Sequence, residues 1–360
     1  MKPIPLSRVH DSKAIREAIA RVVDSGSFIL GPQCRAFETE LAEYLGVPHF
    51  VLANSCTSAM HLLFLALGFP PGSEVLLPSL TAFPSVEPVC HAGLRPIFVD
   101  VDETFCMDPR DMESKVSSRS VAILPVHLYG QAADLARIQA VADRRGLMVL
   151  EDCAQAIGAT FGGRRVGGFG KAAGFSFYPS KNLTVYGDGG GIATADAALA
   201  ATVSSLRDHG RTTKYRNDQV GFNMRFNEIQ AAVGRCQLKV LDELNGCRFR
   251  LASLYRELLA GLVDIPIERA DAEHVYHLFV IQAERRDELQ AHLKAKGIQT
   301  GVHYPVPVHQ QPAIEKLFGR SSLPVTERVV RRVLSLPLYP DLSEEDVRRV
   351  ARAIREFYHG

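Results

Sequence analysis

FVLANSCTSAMHLLFLALGFPPGSEVLL, residues 50–77, holds an apolar run, a polar turn, a helix-spaced segment, a Gly/Pro break and a second apolar run. Phe50 to Ala53 and Glu74 to Leu77 read as buried strands, and Ser58 to Leu67 as the helix between them. The charge-free stretch around them, Tyr44 to Ser73, is long enough to raise the question of a membrane span. Asn54, Ser55, Thr57, Ser58 and His61 interrupt it, and Gly68, Pro70 and Pro71 end it, so strand, turn and helix is the better reading. The same order recurs as far as Thr194. It predicts strands at Arg95 to Val99, Val121 to Val126, Leu147 to Glu151, Gly174 to Phe177 and Gly191 to Thr194. Helices are expected at Ser85 to Ala92, Leu135 to Arg145 and Ala197 to Arg207. Strands alternating with helices predict an α/β fold around a mostly parallel sheet.

From Glu228 to about Leu259 the apolar spacing is helical, with a break expected near Asn245 and Gly246. Val275 to Gln282 alternates like a strand, and Asp287 to Lys296 and Ser343 to Tyr358 read as helices, the last opened by an N-cap serine. The expected division is a large domain over 1–245 and a smaller C-terminal α+β domain over 246–360.

The chain has 360 residues, 46% of them hydrophobic and 22% charged, so it can bury enough apolar surface to offset its conformational entropy, and disorder as the main state is excluded. A net charge of +1 gives no field to hold a polyanion, which argues against nucleic acid as partner. Seven scattered cysteines without a C-x-x-C suggest a reducing compartment and no zinc knuckle. The first twenty residues lack the apolar core of a signal peptide, so a cytoplasmic location without membrane attachment is expected.

Three stretches carry candidate chemistry. In GFSFYPSKNLTVYGDGGG, residues 174–191, an apolar strand leads to Lys181 and then to a glycine cluster. A partly desolvated amine loses its proton more easily and can attack a carbonyl, although a surface lysine in a loop accounts for the same letters. In VLEDCAQA, residues 149–156, Asp152 and Gln155 fall at the carboxyl end of a strand, where open α/β sheets bind ligands. That carboxylate can hold a protonated ring nitrogen, or it can simply cap the next helix. In NSCTSAM, residues 54–60, Thr57 and Ser58 at a helix start suit a phosphate group, or an ordinary cap. Together the three supply an amine for an aldehyde, an acid for a ring nitrogen and a phosphate cup, the needs of pyridoxal phosphate.

EDCAQAIGA, FSFYPSKNLTVYGDGGGI, LRDHGRTTKYRNDQVGFNMRFNEIQAAVG, NSCTSA and LSLPLYPDLSEED together resemble the DegT/DnrJ/EryC1/StrS family of sugar aminotransferases. The resemblance runs from about residue 28 to residue 350. It implies the type I fold of pyridoxal-phosphate-dependent transferases, that of aspartate aminotransferase, and a homodimer with each active site shared between two subunits. It also implies transfer of an amino group from L-glutamate to a keto group of a nucleotide-linked sugar, in amino-sugar biosynthesis, with pyridoxamine phosphate as the intermediate cofactor form. By the same resemblance Lys181 matches the lysine that forms the internal aldimine and shuttles the proton. Asp152 matches the aspartate on the pyridine nitrogen and Gln155 the glutamine over the ring hydroxyl. Thr57, Ser58 and Ser176 match the phosphate-cup residues, and Asn223 the asparagine that reaches the phosphate from the partner subunit. One position departs from the family's commoner pattern: where an aromatic residue usually follows the threonine matching Thr81, this chain has Ala82, with Phe83 one place later.

His303 and Tyr304 lie in a stretch that the family places near the cleft, and Arg211, with Lys214 and Arg216, makes a basic loop able to meet a sugar diphosphate or a carboxylate. These three, His303, Tyr304 and Arg211, are the expected substrate contacts. His127 follows a predicted strand and either faces the cleft or satisfies the backbone. His274 and His277 read as structural rather than as part of a metal site, and no metal is expected. Two other readings compete: transfer to an inosose-type cyclitol ketone, and a regulator that binds the cofactor without turnover. A hydrolase built on Asp152 and a histidine is a third.

Overall fold

The computed structural model describes residues 2–359. Seven strands form the central sheet: β1 His49–Ala53, β2 Glu74–Pro78, β3 Arg95–Val99, β4 Ser120–Ile123, β5 Met148–Asp152, β6 Ala172–Ser176 and β7 Gly190–Thr194. Their order across the sheet is β1-β7-β6-β5-β4-β2-β3. Every pairing from β6 through to β3 is parallel, and β7 runs antiparallel to both its neighbours, so six of the seven strands share one direction. Their carboxyl ends therefore converge on one edge.

Strand alternation sorts side chains between two cores. Phe50 and Leu52 of β1 join Phe37, Leu41, Phe175 and Phe226 on one face, while Val51 and Ala53 join Met60, Leu63, Val75 and Ile192 on the other. Both faces are covered by helices, which is why these strands read as nearly continuous apolar runs. The helix Cys56–Leu67 starts directly after β1, capped by Ser55, whose hydroxyl oxygen accepts from the Ser58 N–H at 3.0 Å. A separate apolar cluster holds Tyr255, Phe279, Ile281, Leu334, Leu336 and Ile354, built on the antiparallel pair Phe279–Gln282 and Val333–Leu336. Ile4 belongs to this cluster as well: its N–H donates to Gly297 O and its carbonyl accepts from Gln299 N–H, each at 2.9 Å.

Two expectations are corrected. The segment from Glu228 forms two helices, Glu228–Leu238 and Leu241–Leu259, and the interruption falls at Lys239 and Val240 rather than at Asn245 and Gly246. Asn245 stays helical because its side chain faces inward, donating to Ile157 O at 3.2 Å and accepting from Asn182 Nδ2 at 2.7 Å. The strand expected from Val275 begins only at Phe279, since Tyr276 takes a left-handed φ of 45° that no strand accommodates.

The glycine cluster after Lys181 is explained by close approach rather than by turn geometry. A Cβ on Gly190 would stand 2.3 Å from the Cys56 backbone nitrogen and 2.5 Å from Phe175 O, and one on Gly191 would stand 2.3 Å from the Phe50 ring. These glycines let β7 lie against the start of the helix Cys56–Leu67. Gly190→Ala is expected to lower unfolding stability by about 2–3 kcal/mol through overpacking against backbone. Gly246→Ala, in a helix with nothing closer than Arg250 Nη1 at 3.8 Å, should instead gain about 0.5–1 kcal/mol. Urea denaturation of both variants checks this, and equal effects of the two would refute the close-approach account.

Candidate active site

The carboxyl edge of the sheet frames a cavity of about 350 Å³. Thr57 reaches it from the helix after β1, Asp152 and Gln155 from the end of β5, Ser176 from β6, and Lys181 from the loop beyond. Residues far apart in sequence meet there because parallel strands deliver their ends to one edge.

The Lys181 amine lines this wall, and burial pulls it down from 10.5 to about 8 against the opposing charge of Asp152. Asp152 is held on every side that faces protein. Its Oδ1 accepts from Ala154 N–H at 3.0 Å and its Oδ2 from the Ser85 hydroxyl at 2.7 Å, while its backbone N–H donates to Pro125 O at 2.9 Å. The Gln155 amide is fixed as firmly: Oε1 accepts from Tyr129 N–H at 2.8 Å, and Nε2 donates to the Tyr304 hydroxyl at 3.1 Å. With one N–H directed to Tyr304, Nε2 keeps its second N–H to offer.

Glu151, one residue before Asp152, points to the opposite face, as strand alternation requires. Its carboxylate accepts from the N–H groups of Gly167, Phe169 and Gly170 at 2.8–2.9 Å, and lies 3.1 Å from His127 Nε2. Burial pushes this carboxyl up, but the bonds from His127 and the loop outweigh it and hold it below the usual carboxylate range. His127 Nδ1 accepts from Ala133 N–H at 3.0 Å, so its proton sits on Nε2, toward Glu151. His127 is thereby a fixed structural partner rather than a cleft residue. Cys153 lies close to this pair, but the lone pairs of the histidine and the carboxylate are already taken by backbone donors.

A second cavity of about 210 Å³ adjoins the first and shares Gln155, Tyr178 and Lys181 with it. His303 and Tyr304 line it, together with His277, whose basicity is far below normal through burial and then through the charge of Lys181. Ser58, Asn223 and Arg211 do not line the cavity of their own chain. Ser58 Oγ is engaged by Ser55 at 2.9 Å. Asn223 is exposed, with its Oδ1 accepting from Arg225 Nε at 3.1 Å, and Arg211 stands on the hairpin Arg211–Asn217, 3.6 Å from Asp208. Phe83 packs into the apolar core rather than the cavity, whose wall at this point is Thr81, Ala82 and Pro84. Sequence reasoning missed Thr81, Ser85, Cys56 and Tyr178; the position of PSLTAFPS directly after a strand end was the available signal.

These groups fit pyridoxal phosphate. A desolvated amine, a carboxylate with lone pairs left over for the cavity, an amide with an N–H to spare, and two hydroxyls beside a helix start meet in a space of the right order for such a molecule. The sequence model of the DegT/DnrJ/EryC1/StrS aminotransferase family matches residues 9–355. The chain belongs to that family. Within it, the chain is 44% identical over 351 residues to UDP-N-acetyl-3-dehydro-alpha-D-glucosamine 3-aminotransferase of Acidithiobacillus ferrooxidans, covering 96% of this chain and 94% of that one. It is 45% identical over 344 residues to dTDP-3-amino-3,4,6-trideoxy-alpha-D-glucose transaminase of Streptomyces venezuelae, covering 94% and 91%. A crystal structure of S. venezuelae DesV in complex with a ketimine intermediate superposes with a TM-score of 0.95 at 43% identity, covering all of both chains. The fold is thus the type I fold that the resemblance implied, and this DegT/DnrJ/EryC1/StrS member is an aminotransferase.

The lowered basicity of Lys181 gives a direct expectation. At pH 7 roughly a tenth of an amine with a midpoint near 8 is free of its proton, against less than about one in a thousand for an exposed lysine. Borohydride trapping of pyridoxal phosphate on the peptide containing Lys181, followed by mass spectrometry, should therefore rise with a midpoint near pH 8. A midpoint near 10 would show that the amine is not desolvated.

Proposed function

We propose that this protein moves an amino group from L-glutamate to the keto group of a nucleotide-linked sugar, with pyridoxal phosphate held by Lys181, Asp152, Gln155, Thr57 and Ser176. The observation that carries the reading is the desolvated Lys181 amine in one cavity with the Asp152 carboxylate and the fixed Gln155 amide. Both relatives named above are named for nitrogen on C-3 of the sugar, so a 3-keto sugar is the acceptor we assign. The division into a cofactor-holding unit, 1–245, and a smaller unit, 246–360, belongs to the same reading and is supported by the separate cluster around Tyr255 and Phe279.

Bound there, pyridoxal phosphate supplies an aldehyde that condenses with amines and a ring that takes up the charge left when a proton leaves the neighbouring carbon. Asp152 would hold the proton of the ring nitrogen with the lone pairs that Ala154 and Ser85 leave free. Gln155 would donate its free N–H to the ring oxygen, and the Thr57 and Ser176 hydroxyls would hold the phosphate beside the start of the helix Cys56–Leu67. The Lys181 amine would bind the aldehyde and, when free, would take a proton at Nζ and return it, a task suited to an amine lowered to about 8.

The active site is completed, in this reading, by a second copy of the chain. Asn223 is exposed and outside its own cavity, and its oxygen accepts from Arg225, which leaves the amide N–H groups available to a second copy. Incubation with L-glutamate should convert the yellow loaded protein to the pyridoxamine form and release one 2-oxoglutarate per site, while Lys181→Ala does neither. A loaded protein indifferent to every amino donor would overturn the reading in favour of a regulator. Mixing inactive Lys181→Ala with inactive Asn223→Ala should regain about a quarter of wild-type activity, because half of the dimers then carry one intact site. No recovery after exchange of subunits would refute the sharing.

A further inference from the structure

The buried hydroxyls of Thr81 and Ser85 have no part in the reaction as described so far. Thr81 lies just past β2, and the single turn Phe83–Ser85 brings Ser85 back beneath it, so that Thr81 Oγ1 and Ser85 Oγ are 2.8 Å apart. Ser85 Oγ is also 2.7 Å from Asp152 Oδ2. Both side chains are buried, at 2% exposure for Thr81 and 7% for Ser85.

The chemistry fixes the direction of both bonds. A carboxylate only accepts, so the single hydroxyl proton of Ser85 points at Asp152. Ser85 then has only lone pairs to offer Thr81, and the Thr81 hydroxyl must be the donor. Two O–H dipoles therefore line up head to tail toward one carboxylate oxygen, each polarising the next in a site shielded from water.

We infer that Ser85, itself held by Thr81, is a positioning residue that fixes the Asp152 carboxylate in the orientation in which its remaining lone pairs face the ring nitrogen of the cofactor. Oδ1 is tied to the backbone of Ala154 within the same loop, a bond that a rotating carboxylate can exchange between its two oxygens. Ser85 comes from a different strand end and breaks that equivalence. The inference rests on the proposed cofactor reading and deepens it. It also gives TAFPS a task in this chain that does not depend on an aromatic ring at position 82.

The test is a thermodynamic cycle on the dissociation constant of pyridoxal phosphate, measured by equilibrium dialysis against the full-length apoprotein. Ser85→Ala should weaken binding about tenfold, the effect of losing a hydrogen bond to a charged group, and Ser85→Thr should restore it to within about threefold. Thr81→Val, which keeps shape and removes the outer donor, should cost about threefold. In an Asp152→Ala background, Ser85→Ala should change binding by less than about twofold, since the group it acts through is gone. The same tenfold loss in that background, or wild-type affinity in Ser85→Ala, would overturn the inference while leaving the cofactor reading intact. Failure of the Ser85→Thr variant to restore binding would also overturn it, by showing that the hydroxyl is not the cause. Absence of binding to the wild-type protein would instead remove the cofactor reading, and the inference with it.

Discussion

Contact between Gly190 and the backbone nitrogen of Cys56, closer than any side chain permits, sets the geometry on which the site depends. It presses the one antiparallel strand of the sheet against the first turn of a helix. That contact places Thr57 opposite the ends of β5 and β6, so the helix start, the lysine loop and the carboxylate share one small space. Were β7 held farther off by side chains, the helix would still form, because its cap and its apolar spacing are local. It would then stand away from Ser176 and Lys181, and that end of the cavity would open.

Around this contact the protein separates two neighbouring carboxylates by strand alternation alone. Glu151 and Asp152 are adjacent in sequence and opposite in direction. The first is closed off by backbone donors and a histidine, and it holds the loop 167–170. The second keeps its lone pairs toward the cavity free. One dipeptide thus serves as anchor on one face of the sheet and as a cavity wall on the other.

Much of this was legible in the residues. The alternation of apolar runs with helix-spaced segments gave all seven sheet strands to within a few residues, because strands buried on both faces leave a strong apolar signal. Asp152 and Gln155 stood out as a strand end, Thr57 as a helix start and Lys181 as an amine in an apolar, glycine-rich stretch, while Ser176 came only with the family resemblance; these five line one cavity, and Ser58, Asn223 and Arg211 do not. What the letters concealed was tertiary. Asn245 looks like a breaker and is a buried hydrogen-bonding residue. The glycines at 189–191 look like a turn and are a point of contact. Val275 to Leu278 alternates like a strand, yet the N–H groups of Val275 and Leu278 go to Gly130 and Tyr129 and that of Tyr276 to His274 Nδ1, with the backbone turning at Tyr276. Ser85 and Thr81 carry no periodic signal, since what they do depends on a carboxylate distant in sequence.

The packing of Ile4 against Gly297, Ile298 and Gln299 has a consequence for how the chain is made. Ile4 leaves the ribosome long before Gly297 to Gln299, so the stretch around it stays without its binding place until they emerge. The sheet from β1 to β7 can assemble meanwhile, because its contacts lie within the portion already emerged. A nascent chain stalled before residue 297 would therefore leave Ile4 without the backbone groups it pairs with, while the sheet strands had all emerged.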